Sequence, residues 1–172
     1  MKNATRWIRN AIVLMAAAGG AAAAPATKPC AAPEYRQFDF WVGDWNVEEK
    51  GKPAGTNRVE SILKGCIVRE NWVGTDGSEG TSLNRFDPVT KKWHQTWVDN
   101  QGGKLELAGE FRGGRMVLSG SRAAVRDPRI KIVDRISWQE LPDGRVHQLW
   151  EASRDAEKTW QVQFDGYYTK KR

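Results

Sequence analysis

Histidine is almost missing from this 172-residue chain, which has only His94 and His147, and cysteine is limited to Cys30 and Cys66. No His pair stands at helical spacing and no Cys/His cluster occurs, so a metal centre has no ligand set. A haem site lacks an inward imidazole, and both histidines read as surface residues. Neither Ser82 nor Ser137 sits in a strained elbow of the kind that exposes a nucleophile, and no imidazole is placed to serve one. A long apolar run is lacking too, as is any amphipathic helical stretch. Lys and Arg are scattered among acids rather than gathered in a stripe, which argues against nucleic-acid binding.

The one apolar segment comes first. Lys2, Arg6 and Arg9 precede the run Ala11–Ala18, and small residues continue to Ala24, the charge, apolar core and small-residue end of a secretory signal. A membrane anchor would need roughly 20 strongly apolar residues, and this run is shorter and mostly alanine. A lipid anchor is not expected either, since Thr27-Lys28-Pro29 rather than a small apolar motif precedes Cys30. Residues 1–24 are therefore assigned to a signal, 25–37 to a tail and 38–172 to one domain, with a periplasmic or secreted location. Three of the 27 basic residues and none of the 21 acidic ones precede Ala24, so the mature chain carries only +3. In an oxidising compartment the two cysteines are expected to form one disulfide, tying the tail to the turn after the second strand. Two free thiols are the alternative.

Present in abundance are aromatic residues, nine of them Trp. They are densest in Phe38-Asp39-Phe40-Trp41-Val42-Gly43-Asp44-Trp45, which reads as a single helical turn capping an apolar interior and leading into a first strand. From Trp45 onward, alternating segments separated by Gly, Pro, Asp and Asn clusters give about ten strands in consecutive antiparallel hairpins. The expected strands are 44–50, 56–64, 66–73, 80–87, 92–99, 104–111, 115–122, 130–140, 145–152 and 159–169. A meander of this length leaves two open edges unless it closes, so the expected fold is all-β, a single up-and-down antiparallel barrel with a short N-terminal helical turn. A two-sheet sandwich is the alternative.

One hairpin sets a register by its turn chemistry. In Leu141-Pro142-Asp143-Gly144-Arg145, Pro142 and Asp143 suit a type I turn and Gly144 the left-handed residue that closes it, which makes Leu141 face Arg145. Trp138 then lies opposite Gln148 and Ile136 opposite Trp150, and both pairs face inward with Asp134 and Val146, while His147 faces out. The same parity turns Glu70, Trp72, Ser82, Asn84, Trp93, Gln95, Trp97 and Asp99 inward, and on the last strand Trp160, Val162, Phe164 and Tyr168. Polar groups interleaved with indoles inside a barrel suit a ligand cavity, indoles giving area and amides and carboxylates giving orientation. The alternative is a filled core in which these groups satisfy one another. The candidate ligand contacts are Glu70, Trp72, Asn84, Gln95, Trp97, Gln148 and Trp150.

Gly-x-Trp after a short helical turn, together with Gly65-Cys66 and Glu70-x-Trp72, Gly80-x-Ser82-Leu83-Asn84, Trp93-x-Gln95-x-Trp97-Val98-Asp99, Gln148-Leu149-Trp150-Glu151, and Lys158-Thr159-Trp160 with Phe164-Asp165-Gly166, resembles the lipocalin-like barrels of the calycin group. The resemblance is closer to a family of secreted bacterial lipocalin-like proteins of unknown function, and it spans the mature chain. It implies a barrel that binds a small, largely apolar or aromatic molecule, with no cofactor and no established activity. Related haem-binding barrels place a histidine late in the chain, and here that position falls to the outward His147. The alternative class is an enzyme in which a buried carboxylate such as Glu70 does acid–base work.

Overall fold

A computed structural model describes residues 28–172, and the predicted signal lies outside the described residues. Gly43 marks the end of the aromatic opening and the start of ten strands: β1 (Gly43–Glu49), β2 (Lys52–Ile62), β3 (Ile67–Gly74), β4 (Glu79–Asp87), β5 (Lys92–Asp99), β6 (Lys104–Arg112), β7 (Arg115–Ala123), β8 (Lys131–Glu140), β9 (Val146–Ser153) and β10 (Gln161–Lys170). Each is antiparallel to the next, and β10 pairs back with β1, so the sheet is a closed up-and-down barrel and not a sandwich. Closure consumes both edges, which would otherwise present unpaired backbone groups to other chains. Among the described residues no helix is long and apolar enough to cross a membrane.

The β8–β9 hairpin has the expected register. Leu141 N–H donates across the turn to the Arg145 carbonyl and its own carbonyl accepts from Gly144 N–H, Gly144 takes φ +80°, and Trp138 faces Gln148 while Ile136 faces Trp150. Ile132, Asp134, Ile136, Trp138, Val146 and Gln148 are all buried. His147 lies on the outer wall, stacked on Tyr167 at 4.6 Å with its Nε2 2.7 Å from Asp165.

Two strands depart from expectation. β2 begins at Lys52 rather than at residue 56, because the turn before it is only Lys50-Gly51, both residues with positive φ as a two-residue hairpin turn requires. A register shift after Val47 then absorbs the extra residue of the Pro53-Ala54-Gly55 segment. In β10 a bulge between Val162 and Phe164 reverses the parity at the strand's start. Trp160 and Val162 are therefore not inside: Val162 is exposed, and Trp160 lies outside under the Arg135 guanidinium, 3.9 Å from its ring centroid. Phe164 and Tyr168, beyond the bulge, do face inward, and Tyr168 meets Val47 across the seam as expected.

One end of the barrel is plugged. The segment expected to be a plain tail forms a 3-10 turn, Pro33–Arg36, and a second one, Asp39–Trp41, lies within the predicted aromatic plug. Phe38 and Trp41 are fully buried and pack on Trp93 and Trp138, while Trp45 Nε1 donates to the Trp41 carbonyl at 2.9 Å. Trp93 Nε1 donates to Gln37 at 3.1 Å. The Cys30–Cys66 disulfide fastens this segment to the short turn between β2 and β3.

Candidate functional site

The opposite end of the lumen is hollow. A cavity of about 610 Å³ opens between the β1–β2, β3–β4 and β5–β6 turns and reaches down to Trp138. The barrel thus contains both a packed core and a cavity, one at each end.

Four aromatic rings wall the cavity: Trp72, Trp97, Trp150 and Phe164. Each indole is anchored by its N–H, Trp72 to Ser78 Oγ at 3.3 Å, Trp97 to Asp99 at 3.4 Å and Trp150 to the buried Asp134 at 2.9 Å. Asp134 is itself held by Arg122 at 2.8 Å, so that carboxylate is neutralised in the wall. Trp72 also meets Phe164 edge to face at 5.9 Å.

Inward glycines explain why these large rings leave space between them. A Cβ at Gly80 would sit 2.1 Å from the Trp97 ring, one at Gly55 2.7 Å from Trp72, and one at Gly166 2.3 Å from Phe164. Each ring occupies the space over a bare stretch of backbone that a side chain would otherwise fill, so it lies against the wall instead of filling the lumen. Side chains at those three positions would turn the rings toward the axis.

The floor is polar on one side and apolar on the other. Glu70, Gln95, Gln148 and Tyr168 stand against Leu105, Ile136 and Trp138. Glu70 is only 5% exposed; its Oε1 accepts from Asn57 and its Oε2 from the Ser82 hydroxyl, both at 2.7 Å. Behind it, Asn84 donates to Ser82 Oγ at 2.9 Å and to the Val68 carbonyl at 3.0 Å, and Gln95 Nε2 donates to Asn84 Oδ1 at 2.9 Å. The Tyr168 hydroxyl donates to Gln148 Oε1. No cation lies within ion-pairing distance of Glu70 among the described residues.

Desolvation by burial pushes the Glu70 carboxyl up to about 7, although the hydrogen bonds from Ser82 and Asn57 favour its charged form. Burial, reinforced by the nearby Glu70 charge, also raises the Tyr168 phenol, which therefore stays protonated. The unfolded Glu70 carboxyl ionises near 4.5 and the folded one near 7. Between those values the unfolded chain holds fewer protons than the folded one, so folding stability falls as pH rises, by about 3 kcal/mol once pH passes the upper value. Glu70→Gln is expected to flatten this decline in urea unfolding measured at pH 5 and pH 8. Equal losses in the two proteins would show that Glu70 is not the group responsible.

Six of the seven expected ligand contacts, Glu70, Trp72, Gln95, Trp97, Gln148 and Trp150, line this cavity. Asn84 does not; it is fully buried behind Gln95 and Ser82, where it braces them. Phe164 and Tyr168 had inward parity in the sequence but were not counted as contacts, and both belong to the lining. Asn57, the partner of Glu70, lies within the expected second strand, to which no inward face was assigned; the alternation of Gly55, Asn57 and Val59 was its signal. No protein-family model and no curated protein matches the chain, so its function has to be read from this cavity.

Proposed function

We propose that this protein is a lipocalin-like carrier or receptor that takes a small, largely aromatic or apolar molecule into the open end of its barrel, in the periplasm or outside the cell. A single observation supports it most: a cavity of about 610 Å³, within the range of small-molecule sites, with rigidly anchored aromatic walls and a few convergent polar groups at its base. The signal-like start of the chain and the Cys30–Cys66 disulfide support the location.

The test uses the neutral dye Nile red and native mass spectrometry of protein purified from its own compartment. One dye per barrel is expected, with binding weakened about tenfold by Trp97→Ala and similarly by Trp72→Ala, as loss of a stacking ring implies. A retained small molecule would give the ligand's mass directly. Absence of dye binding, or an affinity indifferent to both substitutions, would defeat the carrier reading.

One observation favours a second reading. A buried carboxyl that ionises near 7 is matched to general acid–base work at neutral pH. That reading requires turnover on some member of a substrate panel, with a pH dependence that Glu70→Gln abolishes; binding without turnover leaves the carrier.

A further inference from the structure

We propose that the cavity selects a hydrophobic cation, an organic amine whose aromatic or alkyl body lies among Trp72, Trp97, Trp150 and Phe164 and whose ammonium is held at the floor by Glu70 and Gln95. This inference rests on the carrier reading and adds the charge of the ligand to it.

The floor supplies acceptors. Each Glu70 oxygen spends one lone pair, on Asn57 and on Ser82, and keeps another for a ligand. Gln95 uses its amide N–H groups on Asn84 and Ser82, which leaves its carbonyl oxygen free. The Gln148 amide nitrogen and, more deeply buried, the Trp138 indole N–H are donors without a partner on this floor among the described residues, so a ligand hydroxyl beside the ammonium can also be accommodated at Gln148. The elements packed round Glu70 face it with Asn57 from β2, Ser82 and Asn84 from β4, Gln95 from β5 and the protonated Tyr168 from β10. None of these is cationic. A buried carboxylate without a counter-ion is costly, and a ligand that brings the positive charge relieves that cost.

The walls and mouth have the same preference. Indole faces attract cations, and three indoles line the path to Glu70. The cavity lining holds five carboxylates, Glu49, Glu70, Asp76, Glu79 and Asp99, against Lys50 and Lys52, although the chain as a whole is basic. Two of the mouth carboxylates are fixed as anions. Asp99 is lowered in spite of partial burial by the Gly103 and Gln101 backbone N–H groups, and Asp76 is lowered by the Ser78 hydroxyl and N–H. Such a mouth draws cations toward the lumen.

The test compares three probes with the same ring and chain length, 2-phenylethylammonium, 2-phenylethanol and phenylacetate, followed by tryptophan fluorescence and calorimetry. At pH 8, with Glu70 ionised, the ammonium is expected to bind about tenfold or more tightly than the alcohol, and the carboxylate most weakly. At pH 5 the advantage of the ammonium over the alcohol should shrink, because Glu70 then carries its own proton. Glu70→Gln should remove the preference at pH 8, read as the ratio of ammonium to alcohol affinity within the variant, and the pH comparison on the unaltered protein stands even if that variant folds poorly. Alcohol or phenylacetate binding as tightly as the ammonium at pH 8 overturns the inference and leaves the carrier reading intact. No binding by any probe, together with no Nile red binding, removes both.

Discussion

Trp41→Ala is expected to lower the free energy of unfolding by about 3–5 kcal/mol, the cost of deleting a large aromatic side chain from a packed interior. Trp41 is wholly buried and lies between Phe38, at 4.9 Å, and Trp138, at 5.3 Å, with Tyr168 beyond at 6.5 Å. Its indole nitrogen has no hydrogen-bond partner among the described residues, so the loss is one of packing and not of a polar contact. The backbone carbonyl that receives Trp45 survives the substitution. Trp41→Phe should therefore recover much of the loss, since ring contact is what matters. Urea unfolding followed by far-ultraviolet circular dichroism measures both. A cost below about 1 kcal/mol for the alanine variant would mean that the plug merely rests on the barrel.

The second large effect concerns the other attachment of that plug. Cys30 and Cys66 are 36 residues apart in sequence, and cross-linking a loop of that length removes enough freedom from the unfolded chain to stabilise the fold by about 4 kcal/mol. The variant with both Cys30→Ser and Cys66→Ser should lose that amount, and adding reductant to the original protein should bring its unfolding midpoint to that of the variant. If reduction leaves the midpoint unchanged, the chain-entropy argument fails for this loop. The two effects are coupled through the segment they share: without the bond, the Pro33–Arg36 turn is held only by packing and by hydrogen bonds such as that between Trp93 and Gln37.

Much of this architecture was legible in the sequence because turn chemistry and alternation are local signals. Pro142-Asp143-Gly144 fixed which faces of β8 and β9 meet, and from there parity carried Glu70, Gln95 and the indoles to the inside. Parity failed at one bulge, in β10, since an extra residue such as Gln163 has no distinctive composition and Val or Trp is as acceptable on an outer wall as inside. The Arg135–Trp160 stack is an instance: only the fold brings that guanidinium to that ring. Whether the lumen was hollow could not be read from parity either, because it depends on how a ring lies against the backbone of another strand. Gly80 stands 17 residues before Trp97, and their contact is visible only once β4 and β5 are aligned, with Gly80 opposite Asp99 and Ser82 opposite Trp97.

Those bare backbone positions carry a wider implication. The dimensions of the lumen are written at residues that a guest molecule never touches, beneath the rings that it does. A lineage of such barrels can resize its interior by exchanging a hydrogen for a methyl under one ring, keeping every strand, every turn and every recognition group in place. Changes in what the barrel accepts need leave no trace among the residues that line it.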